Sequence, residues 1–110
     1  ITKDQMPLLW GNGRLLVGLL DYYEQYQDAN ALSAAQKLGD FLLGIMNVCL
    51  DKSVADQLKK EKAFGYICFT QLAEGLVKLH NASGEKKYLH AAETVYVTYR
   101  NAVHSTVMAI

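Results

Sequence analysis

Trp10, Asn12 and Arg14 are bracketed by Gly11 and Gly13 in the stretch WGNGR. These side chains could do chemistry together. A tryptophan face can stack on a sugar ring, and an amide with a guanidinium can donate to hydroxyls or to a carboxylate. A Gly-x-Gly can also cradle a phosphate. Here it lacks the third glycine of a dinucleotide fingerprint and the Gly-Lys-Ser/Thr of a P-loop, and no strand precedes it, so that chemistry is set aside. Two readings stay open. In one, the glycines make a turn, Asn12 caps the following helix and Trp10 joins the core. In the other, Trp10, Asn12 and Arg14 form the rim of a ligand site.

The remaining reactive residues give less. His80, His90 and His104 show no metal-ligand spacing, and His90 with Glu93 is only a two-residue match, so no metal site is expected. Glu74 can serve as an acid or base, or stand as an ordinary exposed helical carboxylate. Cys49 and Cys68 are too few for a disulfide framework and too far apart for a zinc knuckle; they read as small buried hydrophobes. Tyr22, Tyr23, Tyr26, Tyr88, Tyr96 and Tyr99 read as core and interface residues.

The elements that must position these residues emerge from a repeat. A shift of 57 residues puts Leu15 on Leu72, Gly18 on Gly75, Leu19 on Leu76, Asp28 on Glu85, Leu32 on Leu89, Ala34 on Ala91 and Ala35 on Ala92. Each copy reads as two helices joined by a tight turn, which predicts an all-α fold of two antiparallel helical hairpins. Hairpin 1 covers about residues 10–50, a charged linker covers 51–65, and hairpin 2 covers about 66–103. In hairpin 1 the first stripe is Leu15, Leu16, Leu19, Tyr22, Tyr23 and Tyr26; the second is Leu32, Ala35, Leu38, Leu42, Ile45 and Cys49. In hairpin 2 the stripes are Leu72, Leu76 and Leu79, then Tyr88, Leu89, Ala92, Val95, Tyr96 and Tyr99. Asp28 or Asn30 is expected to cap the second helix, and Gly84 to take the left-handed conformation that ends the third. TVYVTY has strand propensity, but the longer helical stripe overrides it. Gly18 and Gly75 fall inside helices, where glycine costs about 1 kcal/mol relative to alanine, so both are expected to admit a close neighbour.

Up-down pairing places the two turns at one end and the lead-in segments LLWGNGR and FGYICFTQ together at the other. The scaffold repeats while the lead-in residues differ, as in a fold that keeps its core and varies one rim for function. The candidate substrate-binding residues are therefore Trp10, Asn12, Arg14, Tyr66 and Gln71.

Composition narrows the classes. The chain has 110 residues, 51% of them hydrophobic, so it is one globular domain or a fragment of one. Eleven basic and eleven acidic residues give a net charge of zero, which leaves no electrostatic footprint for nucleic acid or an anionic membrane. Its apolar runs fall far short of the ~20 residues a membrane span needs. No signal peptide is apparent, and the chain reads as a piece of a larger protein, starting at Ile1 and ending abruptly at Ile110. The cysteines leave the compartment open.

The segments GRLLVGLLDYYEQYQDANALSAAQKLGDFLL and ICFTQLAEGLVKLHNASGEKKYLHAAE resemble two hairpins of the beta-L-arabinofuranosidase-like glycoside hydrolases of family 127. The resemblance covers most of residues 8–98 and is shared in part by unsaturated glucuronyl hydrolases and sugar 2-epimerases. It implies an (α/α)6 toroid of six hairpins around a funnel, with the sugar site at the N-terminal ends of the inner helices. It implies a carbohydrate partner for the full-length parent, with this chain forming a wall of the funnel. It also implies a cysteine nucleophile held on zinc by cysteine and glutamate ligands; Cys49 and Cys68 match no such motif, so no catalytic residue is assigned and no cofactor is expected in this chain. Two hairpins cannot close a ring, so self-association through apolar helix faces is expected. The rival from another class is a complete four-helix bundle acting as a scaffold or dimerisation module without catalytic activity. A sugar site requires Trp10, Asn12 and Arg14 to converge on one concavity; a scaffold requires Trp10 buried and Arg14 solvated or ion-paired.

Overall fold

In the computed structural model the backbone is described for residues 6–53, 56–57 and 64–108, and side chains for residues 8–53, 56–57 and 72–97. The described residues include, in chain order, the helices α1 (Met6–Tyr26), α2 (Ala29–Leu50), α3 (Phe64–Ser83) and α4 (Lys86–Met108). The described residues contain no strand, and TVYVTY lies within α4. Each hairpin is longer than its apolar stripes mark. In particular α1 starts ahead of Trp10, at Met6, so Gly11 and Gly13 lie inside a helix and not in a turn. Pro7 is tolerated there because the first-turn N–H it lacks has no helical acceptor.

The two turns have the same construction. Gln27 and Gly84, repeat partners, both take positive φ, 53° and 77°. Each donates its N–H four residues back, Gln27 to Tyr23 at 2.7 Å and Gly84 to His80 at 2.8 Å. Such a left-handed residue ends a helix by satisfying one of its orphan carbonyls. Asp28, with extended backbone, then caps α2 by accepting from the Asn30 N–H at 2.8 Å. The repeat is thus conformational as well as compositional.

α1 and α3 run parallel and pack along each other, while α2 and α4 barely meet. The molecule measures 48 × 24 × 19 Å. Its smallest dimension fits two helix layers at a typical spacing of about 10 Å. The core lies between the layers. Leu9, Leu16 and Leu20 of α1 and Leu72, Leu76 and Leu79 of α3 meet Ala35, Leu42, Met46 and Cys49 of α2 and Tyr88, Ala92 and Val95 of α4. Burying each leucine contributes about 2 kcal/mol.

Several stripe assignments shift. Leu15, Tyr22, Tyr26 and Tyr96 are exposed, Tyr23 is half-buried, and only Tyr88 of the tyrosines with described side chains is fully buried; Tyr99 lies outside them. On α2 the buried line is Ala31, Ala35, Gly39, Leu42, Met46 and Cys49, with Leu32, Leu38 and Ile45 only partly covered. Gly75 does admit a close neighbour: a Cβ there would lie 2.9 Å from Leu16 Cδ2. Gly18 does not, for a Cβ there would meet nothing within 4 Å among the described residues. Gly39, not singled out by the repeat, is the second tight crossing, since a Cβ there would strike Leu79 Cδ2.

Candidate functional site

Because WGNGR is helical, its side chains radiate from an axis. Successive residues turn about 100°, so Trp10 and Arg14 stand one turn apart on one side and Asn12 points away from both. Trp10 is 40% exposed at the N-terminal end of α1. Asn12 is half-buried and its side-chain N–H2 donates back to the Leu8 carbonyl at 2.7 Å, within its own helix. It does not cap a helix start. Arg14 Nη1 donates to Glu74 Oε2 of α3 at 2.9 Å, with both side chains about half exposed. Trp10 and Arg14 thus share a surface, and Asn12 does not join them. The lead-in backbone of α3 contains Tyr66, Gln71 and Cys68, whose side chains lie outside the described residues.

Among the described residues, the Arg14–Glu74 pair is one of two that stitch α1 to α3. Lys78 Nζ donates to Asp21 Oδ1 at 2.9 Å, which holds the Lys78 ammonium above its ordinary pKa. Glu74 is therefore an exposed helical carboxylate whose acceptor is engaged by Arg14. Near the turns, Leu20, Tyr23, Glu24, Gln27, Lys78, Asn81 and Ala82 line an open cavity of about 400 Å³. It lies at the opposite end of α1 from Trp10.

The two outer helices, α2 and α4, are joined by a polar clamp that sequence patterning did not reveal. The buried Tyr88 ring carries its hydroxyl to the edge of α2, where it donates to Asp40 Oδ1 at 2.7 Å. The Gln36 carbonyl stands 3.4 Å from the same hydroxyl. Lys87 Nζ binds the same carboxylate oxygen at 2.9 Å and sits 5.1 Å from the Tyr88 ring centroid. Hydrogen bonds from Lys87 and then Tyr88 hold Asp40 below its ordinary pKa. Burial, then the bond to Asp40, raises that of Tyr88. Asp40 lies 48 residues before Tyr88, and Lys87 and Tyr88 are neighbours on different faces of α4, so no local spacing signals the three.

Among the described residues no group of three His, Cys, Asp or Glu side chains could hold a metal ion. Cys49 is buried in the core, where desolvation raises its thiol pKa, away from the thiolate a metal or a nucleophile needs. The residues described do not fit the cysteine-ligated zinc that the resemblance implies. No helix among the described residues is long and apolar enough to cross a membrane.

Neither the curated proteins nor the solved structures include a significant match. The family model for the beta-L-arabinofuranosidase, GH127 catalytic domain matches residues 4–105. That span extends beyond residues 8–98, where the motifs are legible, and takes in most of α4. With parallel α1 and α3 packed in one layer and α2 and α4 outside them, the chain belongs to the GH127 beta-L-arabinofuranosidase-like catalytic-domain family, of which it holds two helical hairpins.

Proposed function

We propose that the chain forms part of the wall of the sugar-binding funnel of a GH127-type glycoside hydrolase and contributes rim contacts rather than catalytic groups. The observation that carries this is the unequal packing of the two layers. In a closed ring the inner helices have less circumference to share than the outer ones, so inner neighbours pack closely and outer neighbours spread. The close α1–α3 pair and the separated α2 and α4 fit that taper, with α1 and α3 lining the funnel. Their N-terminal ends then carry the rim, where Trp10 offers a half-open aromatic face one turn from the Arg14 donors. Tyr66 and Gln71, in the lead-in to α3, are assigned to the same rim; Asn12, on the other side of α1 and bonded to the Leu8 carbonyl, is left out of it. The carbohydrate would be an L-arabinofuranoside, as the family name states. The apolar surfaces left open on α1 and α2 would drive self-association when the rest of a ring is missing.

Trp10 is the sole tryptophan, so its emission reports the rim directly. Titration with methyl beta-L-arabinofuranoside should shift that emission at millimolar sugar, and Arg14→Ala should weaken the response. No shift would overturn the rim; a shift unchanged by Arg14→Ala would remove Arg14 from it.

The scaffold reading draws on one observation of its own. Arg14 is already ion-paired with Glu74, which a purely structural rim would use as a surface clasp. A chain that forms a defined complex yet gives no sugar response would favour that reading.

A further inference from the structure

The two hairpins use the same positions differently. On hairpin 2, Leu72 and Leu79 are 0% exposed and Ala91 is buried. Hairpin 1 covers part of that surface: Leu16 of α1 seats on Gly75, and Leu79 abuts Gly39 of α2. The repeat partners on hairpin 1 lie open. Leu15, partner of Leu72, is 53% exposed, and Tyr22, partner of Leu79, is 50% exposed. Ala34, partner of Ala91, is exposed, and Gly18, partner of Gly75, is a notch with none of the described residues against it. Leu8, Leu15, Gly18, Tyr22 and Tyr26 recur at helical spacing, so the open positions form one strip along α1. Hairpin 1 thus carries an unoccupied copy of the face by which hairpin 2 is held.

We infer that this strip, centred on the Gly18 notch, is a docking face for a hairpin of the same repeat type, supplied in solution by hairpin 2 of a second copy in head-to-tail register. The inference rests on the self-association proposed above and specifies its geometry. The residue that would seat on Gly18 is the partner of Leu16, which is Ala73, followed one turn later by Val77, the partner of Leu20. Ala73 is half-buried and Val77 is 38% exposed on α3. The repeat partner of the Asp21–Lys78 contact is Lys78 of one copy against Asp21 of the next, again opposite in charge. An alanine fills a notch less well than the leucine at Gly75, so the contact is weaker than the one inside the chain. Because the two surfaces differ, each docking leaves one of each free, and growth continues past the dimer unless the rotation closes a ring.

The test is sedimentation velocity from micromolar to millimolar chain, with far-UV circular dichroism as a check that variants stay helical. Gly18→Glu blocks the notch and Val77→Glu blocks the opposite surface; both positions are exposed, and Leu15→Glu is the substitute if Gly18→Glu loses helix. The wild type should pass beyond the dimer with concentration. Each variant alone should stay monomeric. An equimolar mixture of the two should form a dimer and nothing larger, since one intact face of each kind remains. A wild type that stops at the dimer, or variants that assemble as the wild type does, would overturn the head-to-tail register while leaving self-association standing. A wild type monomeric throughout would overturn both.

Discussion

Tyr88 links α4 to α2 through one hydroxyl, and its deletion should be measurable. Tyr88→Phe keeps the buried ring and leaves Asp40 with Lys87, so urea unfolding should show a loss of about 1 kcal/mol. The pH dependence has a defined sign. The Tyr88 pKa is raised above its ordinary 10.0, so the unfolded phenol ionises first; its stabilisation is complete below pH 10 and falls as pH rises through that value. Lys78, also raised, loses its contribution above 10.5, so the comparison must be with Tyr88→Phe, whose alkaline decline should be shallower than the wild type's. Asp40 works in the other direction: its pKa lies below 3.8, its contribution is present above that value, and acid removes it. Gln27 offers a gain. It holds a left-handed φ of 53° that its repeat partner meets with glycine, and its side-chain bonds to the Tyr23 and Glu24 carbonyls are exposed and long. Gln27→Gly should therefore raise the unfolding free energy by about 0.5–1 kcal/mol, read as a shift in the urea midpoint. At this scale the turns were legible, because Asp28 and Gly84 act through local backbone chemistry. The Tyr88–Asp40–Lys87 clamp was not, because it depends on how two distant helices meet.

The helices separate glycines that look alike in sequence. Gly39→Ala should cost about 1–3 kcal/mol in chemical unfolding, since the new methyl must displace Leu79 and press on the Tyr88 ring, a Cβ there lying 3.2 Å from Tyr88 Cε1. Gly18→Ala meets nothing and should stabilise the monomer by up to about 1 kcal/mol through helix propensity. The repeat made Gly18 and Gly75 equivalent; packing makes them opposites, because one faces a neighbour and the other does not. The same cause explains the stripes. Leu15, Tyr22 and Tyr26 satisfy the helical periodicity of core and interface positions, yet each is at least half exposed. Hydrophobic spacing marks a surface meant to be covered without saying by what. For the lead-in residues the failure was different: three apolar-poor positions with two glycines suggested a turn, and flanking leucines at buried positions carried the helix through them.

Among the described residues, two exposed ion pairs tie α1 to α3, a third ties α2 to α4, and one apolar core joins the two layers. Exposed pairs contribute little each, so Arg14→Gln should lower stability by less than about 1 kcal/mol in urea unfolding, and a much larger loss would mean that Arg14 carries more than its link to Glu74. The family and the helical architecture could be read from the chain because a repeat of 57 residues states the hairpin twice. How the copies nest could not be read, since it turns on the parallel contact of α1 with α3. That contact has a mechanical side. Arg14 faces Glu74 and Asp21 faces Lys78, with the order of charges reversed between the two points. If α3 slid one turn along α1 in one direction, Arg14 would meet Lys78; in the other, Asp21 would meet Glu74. Either slip sets like charges against each other. The pairs thus act as a detent, adding little to how tightly the helices hold but resisting shear both ways, so that α1 and α3 move as one plate.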